Sequence, residues 1–286
     1  MKFNKISIIV GTQKGGTTSL FYYLSQHPQI SESKMKETNF FLKENKWCKG
    51  IDYYESLYEW NPDRHAMALE ASPNYTHTLN RARTAIQRMK TVDIEYKFIY
   101  VLRDPIQKIE SMRKQGVYQG WYSNLLAMET PDSLPTEVIE SASYAAIIDI
   151  FKDNFSIDQI LLLTTDELKS EIISSTLRDK VYPFLEVENS FKFSADKIHN
   201  SRNSYRTDTI WHSLRESGYL KPIKNIFPNA IKNKARDVLA KPLNQDKGKV
   251  LPLTDAQKDF IRTALKHDSR RLEIEYGLDI SNWDLN

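Results

Sequence analysis

The chain has 286 residues and a formal net charge of +3, with 40% hydrophobic and 27% charged residues. This composition is typical of a globular protein with a sizeable core, and so small a charge does not indicate nucleic acid as a partner. The single cysteine, Cys48, excludes an internal disulfide and a cysteine-based zinc site within one chain. No apolar run approaches the ~20 residues that span a bilayer, so we expect a cytoplasmic protein without a membrane span. No linker or repeat divides the sequence, and we expect a single domain over residues 1–286.

The first segment predicts a strand, a glycine loop and a helix. The β-branched residues Ile6, Ile8, Ile9 and Val10 predict a strand buried on both faces of a parallel sheet. A tight loop follows from Gly11 to Gly16, and the helix after it is stopped by Pro28. Backbone N–H groups should converge at the start of this helix, where the dipole favours a phosphate. These groups belong to Gly15, Gly16, Thr17 and Thr18.

The nearest nucleotide motif to this loop is the NTPase phosphate loop, G-x-x-x-x-G-K-[ST]. Gly11 and Gly16 have its spacing, but Thr17 stands at the position of the lysine. The lysine of the loop is Lys14 instead, inside the turn. A P-loop kinase or NTPase therefore stays an alternative, disfavoured because no convincing Walker-B aspartate follows an apolar strand.

Strands and helices alternate along the rest of the chain. Strands are predicted at 65–70, 96–102 and 159–163, and helices at 79–91, from Pro105 onward, at 141–154, 170–185 and 254–266. Asp104 is a good N-cap and Pro105 suits the first helical position. The stretch from Gly116 to Pro135 has no regular pattern. This alternation predicts an α/β fold, a central parallel β-sheet flanked by helices, with a ligand at the carboxyl ends of the strands.

Several short motifs together resemble the sulfotransferases that use 3′-phosphoadenosine-5′-phosphosulfate (PAPS), of the carbohydrate type related to heparan sulfate sulfotransferases. The sequence KGGT at 14–17 is similar to their phosphosulfate loop. The sequence KETNFF at 36–41 resembles their K-E-x-x-F-F segment and places Glu37 23 residues after Lys14. The resemblance implies a P-loop-like sulfotransferase fold, PAPS as donor, no metal, and a hydroxyl acceptor that is a carbohydrate or similar glycan. Because the animal enzymes carry a membrane anchor, a bacterial member fits better.

The resemblance also implies roles for individual residues. Glu37 takes the acceptor proton as the sulfuryl group arrives, which is work that a positioned carboxylate can do. Lys14 neutralises charge on the leaving oxygen. Arg103, at the end of a strand, and Ser111, eight residues on, bind the 3′-phosphate by a bidentate fork and a hydroxyl donor. The full predicted set that contacts the donor is Lys14, Gly15, Gly16, Thr17, Thr18, Ser19, Arg103, Ser111 and Arg202.

Other readings of these residues stay open. Taken alone, Glu37 is more simply a solvated acid in a charged loop, which is the usual fate of a Lys-Glu pair. Together with Lys14 and the Phe40-Phe41 pair, the catalytic role is favoured. Glu70, in a segment similar to the family's E-x-[ST]-P-x-Y signature, is the second candidate for a catalytic acid, although a structural role at the strand end is favoured. The basic loop at 197–206 either closes over the donor phosphates or is solvated.

Two further features bear on the acceptor. Tyr118, Trp121 and Tyr122 are candidate acceptor contacts, because relatives shape their acceptor cleft in this region. Asn39 stands where relatives often have histidine. A non-catalytic module that binds an anionic ligand is a further alternative, and it would need the basic residues but not Glu37. The sequence does not distinguish a glycan from a small-molecule or carrier-bound hydroxyl.

Overall fold

A computed structural model of the chain describes residues 2–119, 122–194 and 251–285. Within these residues five strands form one sheet in the order β2-β3-β1-β4-β5, and every neighbouring pair is parallel. The strands are β1 Lys5–Gly11, β2 Ile30–Glu32, β3 Met67–Ala71, β4 Glu95–Leu102 and β5 Ile160–Thr164. The predicted α/β fold with a central parallel sheet is confirmed.

The central position of β1 follows from its sequence. Its neighbours are β3 and β4, with Ile8 paired to Glu70 and Ile9 paired to Ile99. Ile8 packs into the hydrophobic cluster on one face of the sheet and Ile9 into the cluster on the other. A strand buried on both faces needs apolar side chains on both, because successive side chains point to opposite faces, and Ser7 is the one polar residue between Ile6 and Val10.

Helices connect and cover the strands. They are α1 Thr17–Leu24, α2 Glu44–Trp47, α3 Gly50–Glu55, α4 Leu79–Met89, α5 Pro105–Gln119, α6 Ser123–Leu126, α7 Thr136–Glu140, α8 Tyr144–Lys152, α9 Ile173–Thr176, α10 Tyr182–Leu185 and α11 Asp255–Ile274. Short 3₁₀ turns lie at Pro73–Thr76, Ile157–Gln159 and Thr165–Leu168. Across the described ranges, no helix is long and apolar enough to cross a membrane.

Three segments differ from the sequence prediction. The region from Gly116 to Pro135 contains the end of α5 and all of α6, so it is more regular than expected. The helix expected at 170–185 begins at Ile173 and is divided by a π-helical turn, Leu177–Val181, between α9 and α10. The edge strand β2 was not predicted, because three residues are too few to show a period.

The parallel sheet brings the functional loops to one edge. Because all five strands run the same way, the segments that follow their carboxyl ends meet there. Loop 12–16 follows β1, residues 33–41 follow β2, the turn Pro73–Thr76 follows β3 and Arg103 follows β4. The chain order reverses beside β1, which is where an open α/β sheet forms its ligand crevice.

Candidate functional site

The loop after β1 has the tight shape that its glycines predict. Gly16 has φ 91° and precedes the first residue of α1, while Lys14 has φ 67°. A Cβ atom on Gly15 would lie 2.9 Å from the carbonyl oxygen of Val101, so only glycine fits there. The Gly15 N–H donates to the Thr12 carbonyl oxygen at 3.0 Å. Gly15 therefore sets the shape of the loop and is not the free donor expected from the sequence.

The start of α1 supplies the remaining backbone donors. Thr17 and Thr18 lie in its first turn, whose N–H groups have no partner within the helix. Ser19 is half-buried in the same turn. The positive end of the helix dipole therefore faces the crevice beside the loop, as the sequence predicts.

Arg103 fastens this loop to the end of β4. Its Nη1 atom donates to the Lys14 carbonyl oxygen at 2.8 Å, and its own carbonyl oxygen accepts from the Tyr144 hydroxyl at 2.8 Å. The Nε atom of Arg103 is buried and has no hydrogen-bond partner among the described residues. A buried guanidinium N–H without a partner is costly, and a bound anion would satisfy it. The residues present therefore fit a phosphate-bearing ligand.

The Lys14 side chain is held by helix α5. Its Nζ atom donates to Gln115 Oε1 at 2.8 Å. Burial lowers the pKa of the Lys14 ammonium, and the neighbouring charge of Arg103 lowers it further. Two cations held side by side in a partly buried site are poised to bind an anion, because it would relieve both effects.

Along helix α5, Ser111 lies between Gln107, which contacts Arg103, and Gln115, which contacts Lys14. Gln107, Ser111 and Gln115 are spaced four residues apart on α5, so they share one face of the helix. Gln107 Oε1 accepts a long bond from Arg103 Nη2 at 3.4 Å, and Gln115 accepts from Lys14. Asp104 starts this helix, because its Oδ1 atom accepts from the Gln107 N–H at 2.8 Å. The predicted Asp104 cap is thus confirmed.

The segment that carries Glu37 is fixed to β3 by its backbone. The Ala71 N–H donates to the Lys36 carbonyl oxygen at 2.9 Å, and the Asn39 N–H donates to Ser72 Oγ at 3.0 Å. The Glu37 side chain is 42% exposed and accepts from Lys36 Nζ at 2.8 Å. An accessible carboxylate on a backbone held at both sides can meet a hydroxyl that enters from solvent.

Glu70 has the opposite environment. It is fully buried in β3, and its Oε2 atom accepts from the Thr38 hydroxyl, while Oε1 has no partner in the described residues. Burial raises the pKa of this carboxyl to about 7, although the hydrogen bond from Thr38 opposes the rise. A carboxyl with no exposed surface cannot reach an acceptor, which favours the structural role for Glu70.

Three aromatic residues of these segments, Phe40, Phe41 and Tyr122, lie in the core. Phe40 and Phe41 are fully buried and pack on Tyr54 with ring centroids 4.6 Å and 5.3 Å apart. Tyr122 is also fully buried, and its hydroxyl donates to Glu129 at 3.2 Å, so its prediction as an acceptor contact was wrong. The Tyr118 side chain, Trp121, Arg202 and the basic loop 197–206 lie outside what the structure describes.

Two residues at this site were not predicted. Gln115 was missed although it stands four residues after Ser111, a helical spacing that is visible in the sequence. Asn74 was missed because its partners lie far away in the chain: Gln13 Nε2 donates to its Oδ1 atom at 2.6 Å, and its Nδ2 atom donates to Asn39 Oδ1 at 3.1 Å. Nothing in the sequence signals bonds across such separations.

Comparison with known proteins agrees with this geometry. Residues 5–238 match the family model described as the sulfotransferase domain. Two matching relatives are a bifunctional heparan sulfate N-deacetylase/N-sulfotransferase 1 from Caenorhabditis briggsae and the human heparan sulfate glucosamine 3-O-sulfotransferase 3B1. The first is 26% identical over 66% of this chain and 24% of its own length. The second is 26% identical over 58% of this chain and 42% of its own length.

Among solved structures, a bacterial sulfotransferase shares the fold over nearly all of the chain. A sulfotransferase from Alicyclobacillus acidocaldarius aligns with a TM-score of 0.62 and 20% identity over 98% of both chains. This likeness extends to the fold alone. The two heparan sulfate relatives are much longer, and the matched region spans less than half of either.

The buried carboxyl of Glu70 predicts a pH-dependent stability. A carboxyl whose pKa is about 7 when folded and 4.5 in its ordinary state is stabilised as the neutral acid. Its contribution is therefore fully present below pH ~4.5 and falls as the pH rises through 7, by up to about 3 kcal/mol. Glu70→Gln removes this titration, so its Tm relative to the natural protein should rise between pH 5 and pH 8.

Glu59→Gln is the control for this experiment, because Glu59 has 84% of its side chain exposed and the same charge is removed. Its Tm relative to the natural protein should change little over this range. A constant difference between Glu70→Gln and the natural protein, measured by calorimetry, would show that Glu70 does not titrate in this window.

Proposed function

Because the chain belongs to the sulfotransferase family, we propose that this enzyme transfers a sulfuryl group from PAPS to a hydroxyl of a carbohydrate or glycan-type acceptor. The observation that carries the proposal is the unpartnered, buried Nε atom of Arg103 beside Lys14 at the edge of the sheet. The acceptor class is supported by the names of the two heparan sulfate relatives.

The donor would be held by two groups of the described residues. The loop and the first turn of α1, with Gly16, Thr17, Thr18 and Ser19, would face the 5′-phosphosulfate, because helix N-termini favour anions. Arg103 and Ser111 would bind the 3′-phosphate. Gly15 would contribute the shape of the loop, and Arg202 is assigned to the donor from the sequence alone.

When bound, PAPS supplies the sulfuryl group and leaves as the 3′,5′-bisphosphate, once the bond from sulfur to the 5′-phosphate oxygen breaks. Lys14 would stabilise the charge that develops on this oxygen, and its side chain would leave Gln115 to do so. Such electrostatic stabilisation is largest when the Lys14 ammonium already lies against the oxygen before the bond breaks. Holding the two reactants in line accounts for much of the remaining rate.

Glu37 would act as the general base. Its exposed carboxylate would accept the hydroxyl proton as the acceptor oxygen bonds to sulfur, when that proton becomes acidic. A module that only binds an anionic ligand would have no use for this residue. A kinase or NTPase is disfavoured, because Lys14 does not hold the position of the motif lysine and the chain belongs to another family.

We propose that residues 1–286 form one sulfotransferase domain and that it acts in the cytoplasm on its acceptor, with no nucleic acid as a partner. In residues 2–119, 122–194 and 251–285, no group of three or more histidine, cysteine, aspartate or glutamate side chains could hold a metal ion. We propose a reaction without a metal because Lys14 and the helix terminus supply positive charge where a kinase would use Mg²⁺.

The first prediction from this function concerns the donor. The protein should bind the 3′,5′-bisphosphate nucleotide far more tightly than ATP or AMP, and Arg103→Gln and Ser111→Ala should each reduce this preference. Each charge-assisted hydrogen bond that is lost should cost roughly 1.5–3 kcal/mol. Calorimetric titration measures both effects, and equal or tighter binding of ATP would support the NTPase alternative.

The second prediction separates catalysis from binding at Lys14. Lys14→Ala should lower kcat by roughly 10²-fold or more while it weakens bisphosphate binding less, because its charge matters most in the transition state. Lys114→Ala is the matched control, since Lys114 is an exposed lysine on α5, next to the Gln115 that holds Lys14. If Lys14→Ala loses only affinity and keeps its kcat at saturating donor, Lys14 is an anchor for phosphate and not a catalyst.

The third prediction distinguishes the enzyme from a binding module. Glu37→Gln keeps the size of the side chain but removes its basicity, so it should reduce turnover by ~10²–10⁴-fold with little change in nucleotide affinity. Glu70→Gln, assayed in parallel with radiolabelled PAPS and a panel of glycans, should lose much less activity. Near-normal transfer by Glu37→Gln with a collapse for Glu70→Gln would move the base to Glu70.

A further inference from the structure

A chain of side-chain amides joins the donor loop to the segment of the general base. Gln13, directly before Lys14, donates from Nε2 to Asn74 Oδ1 at 2.6 Å. Asn74 donates from Nδ2 to Asn39 Oδ1 at 3.1 Å. Asn39 then donates from Nδ2 to the carbonyl oxygen of Glu37, with a longer distance of 3.4 Å. Three bonds therefore connect the neighbour of Lys14 to the backbone of Glu37.

The direction of this chain is determined by its last member. The Glu37 carbonyl oxygen can only accept, so Asn39 must present its NH₂ group there and its oxygen to Asn74. Asn74 must then present its NH₂ group to Asn39 and its oxygen to Gln13, which must donate. Each of the three side-chain amides therefore has one orientation, in which every hydrogen bond of the chain has one donor and one acceptor.

Asn74 is the rigid member of the chain. It lies in the 3₁₀ turn Pro73–Thr76, where its neighbours Pro73, Tyr75 and Thr76 are buried. The Thr76 hydroxyl donates to the Val10 carbonyl oxygen at 2.7 Å, so this turn is tied to the end of β1. The partner Asn39 is 5% exposed and has φ 49°, a conformation that asparagine tolerates better than most residues.

We propose that Asn74 is a positioning residue that couples the donor loop to Glu37, an inference that rests on the proposed function. The loop that places the donor and the segment that places the base are held by one rigid turn. Ordering Gln13 by donor binding would then order the Glu37 backbone as well. Transfer of the sulfuryl group to the acceptor would depend on this link, whereas the affinity for PAPS and its hydrolysis by water would not.

Kinetics of single and double variants test the coupling. Asn74→Ala should lower kcat for transfer to the acceptor roughly 10- to 100-fold, because a base displaced by about 1 Å is no longer aligned. The donor KM and the release of sulfate from PAPS without acceptor should change less than about twofold. Gln13→Ala/Asn74→Ala should be no slower than the slower single variant, because both changes break the same link.

Thr78→Ala is the control for a general loss of stability. Thr78 caps the next helix, α4, by accepting from the Arg81 N–H at 3.2 Å, and it lies outside the amide chain. Its Tm should fall, as it does for other lost caps, without a fall in kcat. Three results would overturn the proposal. The first is a fall in kcat that is proportional to the fall in Tm in both Thr78→Ala and Asn74→Ala. The others are an additive effect in the Gln13→Ala/Asn74→Ala variant, or a loss of activity in Asn74→Ala that lies wholly in KM.

Hydrogen exchange gives a readout that does not depend on catalysis. With the 3′,5′-bisphosphate added, amides at 12–18 and at 38–41 should both gain protection in the natural protein, but only those at 12–18 should do so in Asn74→Ala. If no amide gains protection in the natural protein, the proposed donor is wrong. If 12–18 gain protection but 38–41 respond alike in both proteins, only the coupling is wrong.

Discussion

The site depends on the hydrogen bond from Arg103 to the Lys14 carbonyl oxygen. It joins the end of β4 to the loop after β1, and these strands are neighbours at the centre of the sheet. The bond also brings two cationic side chains together, and the charge of Arg103 helps to lower the pKa of Lys14. Such a pairing of like charges is unfavourable alone and becomes favourable when an anion lies between them. An anion such as the proposed donor would therefore relieve the repulsion between these two side chains.

The two glutamates show how one short segment separates surface chemistry from the core. Thr38 donates its hydroxyl to buried Glu70, and Lys46 donates to the Thr38 carbonyl oxygen. Glu37, one residue earlier, points to the exposed side. The buried Glu70 carboxyl therefore anchors the segment to the core, while the Glu37 carboxylate stays exposed to solvent. Environment, more than residue type, distinguishes the two carboxyls, as it does where neighbouring carboxyls carry different functions.

Local signals in the sequence predicted much of the secondary structure around the site. The apolar run of β1, the glycines after it and the Asp104 cap each act within a few residues, so their structure could be inferred without knowledge of the fold. Contacts between distant segments could not. The bond from Lys14 to Gln115 spans 101 residues and that from Gln13 to Asn74 spans 61. Tyr122 shows the same limit, because its sequence gives no sign of which side faces the core.

The identity of the residue at position 39 bears on how the site responds to pH. A histidine at this position would change its charge between about pH 5 and 8. Asn39, Asn74 and Gln13 have no ionisable group, so the chain they form keeps its donors and acceptors at every pH at which the fold is stable. Beside this chain the titratable group with a shifted pKa is Lys14, whose ammonium has its pKa lowered by burial and by Arg103. A link made only of amides therefore keeps its hydrogen bonds whether or not Lys14 carries its proton.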